Sequence, residues 1–157
     1  MRYFIVPAFL FITLSILIWI NLESNPTNEE SSYGECNKES ETISQHHQDY
    51  LLQYGWHIQS KCTSRTKMIH YYPERIEMLQ NAGLDLEAYN KEEQVATITT
   101  YTLEEKQPNG DQLSATLYEI NEELVGGYGV LENWDPGIFS LEDKDRLIEQ
   151  EKIRSER

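Results

Sequence analysis

From Tyr3 to Leu22 the chain reads YFIVPAFLFITLSILIWINL, twenty residues without a charge. As a helix rising about 1.5 Å per residue, this run is roughly 30 Å long, the thickness of one bilayer core. The sequence beyond it brings Glu23, Glu29 and Glu30 and is too hydrophilic to follow it into lipid. A buried core helix would need a surrounding domain of comparable hydrophobicity, and no other stretch supplies one. We therefore expect one transmembrane helix and a water-exposed remainder.

A cleaved signal peptide has an apolar stretch of about 7–15 residues and small side chains at its cleavage site. This run is longer, and it exits through Ile18-Trp19-Ile20-Asn21-Leu22-Glu23, which presents large ones. Trp19 suits the aromatic belt of a retained helix, and Pro7 falls in the first turns, where its missing N–H costs nothing. A lipoprotein route is excluded, because the first cysteine is Cys36, well past the apolar run. Arg2 flanks one end and no Lys or Arg follows the run until Lys38. The positive-inside bias then keeps the N-terminus cytoplasmic and sends the rest outside the cell membrane.

About 135 residues follow the anchor, enough for one modest domain with a core. With 27 acidic against 13 basic side chains, the net charge of −14 repels nucleic acid, which is excluded as a partner. Cys36 and Cys62 are the two thiols. If paired, they would close a loop of about 27 residues and contribute roughly 3–4 kcal/mol; the alternative leaves both reduced.

Residues 23–40 are rich in Ser, Asn, Glu, Gly and Pro with few large apolar side chains, the composition of a flexible linker. A first helix is expected over Glu41–Tyr54, with Ile43, Tyr50, Leu51 and Tyr54 on one face, Ser40 or Thr42 as cap and Gly55 as stop. Trp56 to Gln59 suggests a short strand and, after the polar run Ser60 to Lys67, Met68 to Tyr71 another short extended piece. Pro73 to Ala82 predicts the second helix, with Pro73 in the first turn, Glu74 at its positive end and Gly83 after it.

The β-branched run from Gln94 to Leu103 and the alternation from Leu113 to Ile120 flank the turn residues Pro108-Asn109-Gly110-Asp111, predicting a hairpin. Leu124 to Leu131 extends it by a third strand. Its Gly126, Gly127 and Gly129 point to a bulge or to a close crossing by another backbone, which a helix packed across the strand would supply. From Ser140 a capping-box pattern opens a charged, mostly solvated helix or tail over 140–157.

The stretches Leu51-Leu52-Gln53-Tyr54-Gly55-Trp56, Leu79 to Tyr89 (LQNAGLDLEAY) and Leu124-Val125-Gly126-Gly127 give the chain a family likeness. Over roughly Gln48 to Leu131 it resembles the bacterial family catalogued as domain of unknown function 4830. The resemblance implies a small extracytoplasmic domain behind an N-terminal membrane segment. Two positions depart from the family pattern: Tyr72 stands before Pro73, and Asn90-Lys91 follow Tyr89. The family supplies no catalytic residue to carry over.

For chemistry, His46, His47, His57 and His70 lack the spacing that preorganises a metal site, so no metal or cofactor is expected. The glycines at 126–129 lack the lysine and following helix of a phosphate loop. No serine lies in a nucleophile elbow, and neither cysteine has a base fixed beside it. Asp85, after the glycine-terminated helix, is expected to accept a backbone N–H in a turn. The aromatic residues Trp56, Tyr71, Tyr72, Tyr101, Tyr118, Tyr128 and Trp134 mix core with candidate binding surface. Trp56, Tyr72, Tyr101, Tyr118, Tyr128 and Trp134 are the candidates for that surface.

The expected architecture is α+β: a transmembrane helix at 1–22, a linker at 23–40, a domain at 41–139 and a charged tail at 140–157. In the domain, one or two helices cover one face of a three- or four-stranded antiparallel sheet. The expected function is a non-catalytic, membrane-anchored module outside the cell that binds an envelope protein, a peptide or a wall component. The alternative is a small envelope hydrolase or wall-modifying enzyme whose site forms only on folding. A third reading is a regulatory subunit of another membrane protein, although the anchor carries no G-x-x-x-G stripe.

Overall fold

The structure is a computed structural model and describes residues 42–154. The expected anchor at 1–22, the linker at 23–40 and Cys36 lie outside the described residues. No helix among the described residues is long and apolar enough to cross a membrane. The elements run α1 (Gln45–Gln53), β1 (Ile58–Met68), α2 (Pro73–Asn81), α3 (Glu87–Lys91), β2 (Val95–Lys106), β3 (Gln112–Ile120), β4 (Glu123–Leu131) and β5 (Ile138–Ser140). A 3₁₀ turn (Leu141–Asp143) and α4 (Lys144–Glu149) close the order.

The fold is α+β, and its five strands pair antiparallel in chain order. The expected hairpin and its third strand are β2, β3 and β4. In the β2–β3 turn, Asn109 Oδ1 accepts the Asp111 N–H at 3.0 Å while Gly110 takes a φ of +94°, the local geometry these residues favour. Gly83, at φ +85°, stops α2, and Pro73 starts it. Asp85 Oδ1 accepts the Glu87 N–H at 3.0 Å, the turn role expected of it.

Antiparallel register decides which side chains share a face, because directly opposed residues point the same way. Tyr101 opposes Ala115 and Leu117 opposes Gly127, so these define one face. On it Leu51, Trp56, Leu141, Leu147 and Ile153 pack with Tyr101, Leu103, Leu113, Leu117 and Phe139. Ala96 opposes Ile120 and Ile98 opposes Tyr118 on the other face. There Ile69, Ile76, Leu79, Leu84 and Leu86 complete a second core with Tyr128 and Val130. Burial of each such aliphatic side chain is worth about 1.5–3 kcal/mol.

Four expectations are corrected. The sheet has five strands rather than three or four, and both of its faces are covered. Second, the polar run Ser60 to Lys67 is itself strand: β1 spans Ile58–Met68, with its register against β2 shifting between Ile58 and Ser60 and between Lys61 and Thr63. It is an edge strand with exposed side chains from Thr63 onward, so apolar alternation is missing from its sequence. Third, the terminal helix expected after Ser140 is present as α4, with the Ser140 side chain accepting the Glu142 N–H, but it is docked rather than merely solvated: Leu141, Leu147 and Ile153 are buried beside Leu51 and Trp56. Fourth, among the described residues the atoms nearest a Cβ at Gly129 belong not to a helix but to the Phe139 ring of β5, at 2.1 Å, so the glycine makes room for the neighbouring strand's phenyl group. The expected bulge in this hairpin is present, where the register between β3 and β4 shifts after Tyr118, beside Gly126.

Candidate functional site

Two buried polar centres lie on the face that α1 and α4 cover. Gly55, at φ +77°, ends α1 and turns the chain so that Trp56 enters the core and His57 follows it. Trp56 Nε1 donates to the Leu141 carbonyl at 2.8 Å, tying the C-terminal segment to this corner. Glu105, two residues on from Leu103 on the same face of β2, ends in the space between them.

The Glu105 side chain is wholly shielded from solvent. Lys144 Nζ donates to its Oε1 at 2.6 Å, and the His57 backbone N–H donates to both carboxylate oxygens at 3.2 and 3.3 Å. His57 Nδ1 lies 3.0 Å from the same Oε1. Lys144 also donates to the Gly55 carbonyl and sits 4.9 Å from the Trp56 ring centroid. Burial by itself would raise the Glu105 pKa, but the hydrogen bonds from Lys144 and His57 outweigh it and hold the carboxyl below its ordinary value. Such a carboxylate stays ionised with its acceptor positions filled, which suits a structural lock and not a general base.

The second centre is His47 on α1. Its Nδ1 lies 2.7 Å from the Tyr101 hydroxyl, and the two rings meet edge to face at 83°. Nε2 is 3.2 Å from Glu119 Oε1 but lacks the alignment of a hydrogen bond. Burial, and then the nearby Glu119 charge, push the Tyr101 phenol up to about 12. The histidine is thus held as a core residue between a neutral phenol and a carboxylate.

The six aromatic candidates do not form one surface. Trp56 and Tyr101 are buried on the α1–α4 face. Tyr118 and Tyr128 are buried on the opposite face with ring centroids 6.3 Å apart. There the Tyr71 and Tyr118 hydroxyls meet at 3.1 Å, Arg75 donates to the Tyr128 hydroxyl at 3.3 Å, and burial pushes the Tyr118 phenol upward. Tyr72 and Trp134 are exposed, the latter under Lys152 Nζ at 3.4 Å. Cys62 lies on β1 and is disulfide-bonded, and its expected partner Cys36 lies outside the described residues.

Of the four histidines, His47 and His57 serve the two centres and His70 pairs with Glu93 at 3.1 Å. Among the described residues no group of three His, Cys, Asp or Glu side chains is placed to hold a metal ion. A shallow open groove of about 310 Å³ runs between α2 and the segment before β5, lined by Glu74, Glu77, Met78, Asn81, Pro136 and Ile138. It meets neither polar centre. No sequence motif marks Glu105 or Lys144. The available signal was parity: an acid two residues after Leu103 and four after Tyr101, on a strand whose inward positions are apolar.

No family model matches this chain, and neither does any curated protein or solved structure.

Proposed function

We propose that this chain is a membrane-anchored binding or regulatory module without catalysis, its folded domain outside the cell membrane, of the kind its resemblance to domain of unknown function 4830 implies. The observation that carries the reading is the uncharged run at 3–22 in a chain of net charge −14 whose acidic side chains all follow it. Support comes from how the domain uses its titratable groups. Glu105, Lys144 and His57 satisfy one another, and His47 is enclosed by Tyr101 and Glu119. These groups hold the C-terminal segment and α1 onto the sheet, and among the described residues none of them hydrogen-bonds to a serine or cysteine side chain.

The ligand in this reading is a protein, peptide or wall component met at the envelope. Alkaline carbonate extraction of native membranes tests the anchor. The full-length chain stays in the pellet with integral proteins if the reading holds. Release into the soluble fraction defeats it.

A further inference from the structure

We infer that the outer edge of β1, from Thr63 to Met68, is a strand-addition site for an extended acidic segment of a partner protein, an inference that rests on the binding-module reading. β1 has β2 on one side and, among the described residues, no strand on the other. From Thr63↔Thr100 to Met68↔Val95 its register is unbroken, so six residues present a regular row of outward N–H and C=O groups about 20 Å long. All six side chains are exposed. Main-chain hydrogen bonds along such an edge give affinity, and the alternating side chains give selectivity.

Charge selects the occupant. The chain carries 27 acids, yet none lies between Tyr50 and Pro73. Arg65 and Lys67 share one face of this edge, opposite Ile98 and Ala96, and form no ion pair among the described residues. Lys67 Nζ lies 5.9 Å from the Tyr71 ring centroid, which orients it on that face. On the other face Met68 and its cross-strand partner Val95 are each about half exposed, at 50% and 51%. An added strand with carboxylates at alternate positions meets Arg65 and Lys67, while an apolar residue on its other side meets Met68. A second copy of this chain would instead bring like charges together along the edge, the usual means by which edges resist self-pairing.

The test uses the full-length chain in detergent micelles and a fluorescein-labelled nine-residue peptide alternating glutamate and valine, with the lysine–valine counterpart as control. Fluorescence anisotropy is expected to give at least about tenfold tighter binding of the glutamate peptide, because like charges set opposite one another oppose pairing. That preference weakens as salt is raised. The double variant R65E/K67E reverses the preference, and its near-UV circular dichroism reports that the fold is kept. Hydrogen exchange places new protection on the amides of residues 63–68.

Equal binding of both peptides, or protection elsewhere, overturns the inference. Protection already present without peptide, and lost when residues 28–40 are replaced by a Gly-Ser linker, assigns the edge to the chain's own acidic segment and overturns it too. Protection that rises with protein concentration assigns it to a second copy, with the same consequence. None of these readouts depends on where the chain resides, so a failure of the anchored reading is seen separately, by carbonate extraction.

Discussion

Lys144 Nζ, on the last helix, donates at 2.6 Å to Glu105, a strand carboxylate with no solvent exposure. The pair joins α4 to β2, and Lys144 extends the link to the Gly55 carbonyl at the end of α1. Three distant parts of the chain therefore meet at one ammonium group. Two buried charges are costly to bring together, and removing one leaves the other uncompensated.

Lys144→Ala is accordingly expected to destabilise the domain by about 3–5 kcal/mol, the range for stranding a buried partner charge. Urea denaturation of the full-length chain in detergent measures it. The double variant Lys144→Met with Glu105→Leu recovers most of that loss, since apolar replacement of both partners leaves no charge buried.

The same centre sets an acid dependence. Folded Glu105 has its pKa depressed below the ordinary 4.5, so its contribution is fully present above that value and is lost as pH falls through the lower folded value. Stability should drop from about pH 4.5 downward, and Glu105→Gln should flatten that part of the profile relative to the parent chain. Thermal melts at half-unit pH intervals test the slope; an unchanged acid limb in the variant would assign acid sensitivity to other carboxylates.

Gly129 and Phe139 are direct cross-strand neighbours. Gly129→Ala forces a methyl group onto the phenyl ring and should cost about 1–3 kcal/mol by overpacking. Combining it with Phe139→Leu should return part of the loss, and a double-mutant cycle gives the coupling. Additive losses would remove Phe139 as the reason for glycine at this position.

Leu147 is 3% exposed and packs in the cluster that holds Leu51 and Trp56. Leu147→Ala is expected to cost about 2–5 kcal/mol as a buried leucine truncation. A change within the roughly 0.5 kcal/mol typical of surface sites would mean that α4 is not part of the core.

The readable parts of the fold were those with local signals. α2 was legible because Pro73 and Gly83 bracket it, and β2 to β4 because β-branched runs alternate around Asn109-Gly110. β1 was not, since an exposed edge strand carries Lys, Arg, Ser and Thr on both faces and offers no apolar period. The terminal helix was legible from the capping pattern at Ser140, but β5 and the burial of α4 were not. Leu141, Leu147 and Ile153 are too sparse to mark a buried face, and their burial depends on Leu51 and Trp56, which the sequence places far away. The candidate surface suffered likewise, because an isolated tyrosine reads the same in a core as on a face. Register alone separates Tyr101 from Tyr118, and it puts them on opposite sides of the sheet.

We propose that a bilayer holds residues 3–22 and leaves the domain outside. Tyr72 is 82% exposed, so Tyr72→Cys gives an accessible handle for a membrane-impermeant maleimide. In intact cells or spheroplasts the account predicts labelling of Cys at this position on a full-length, membrane-bound chain. Labelling only after lysis, or a soluble chain whose first residue lies beyond Leu22, would contradict it.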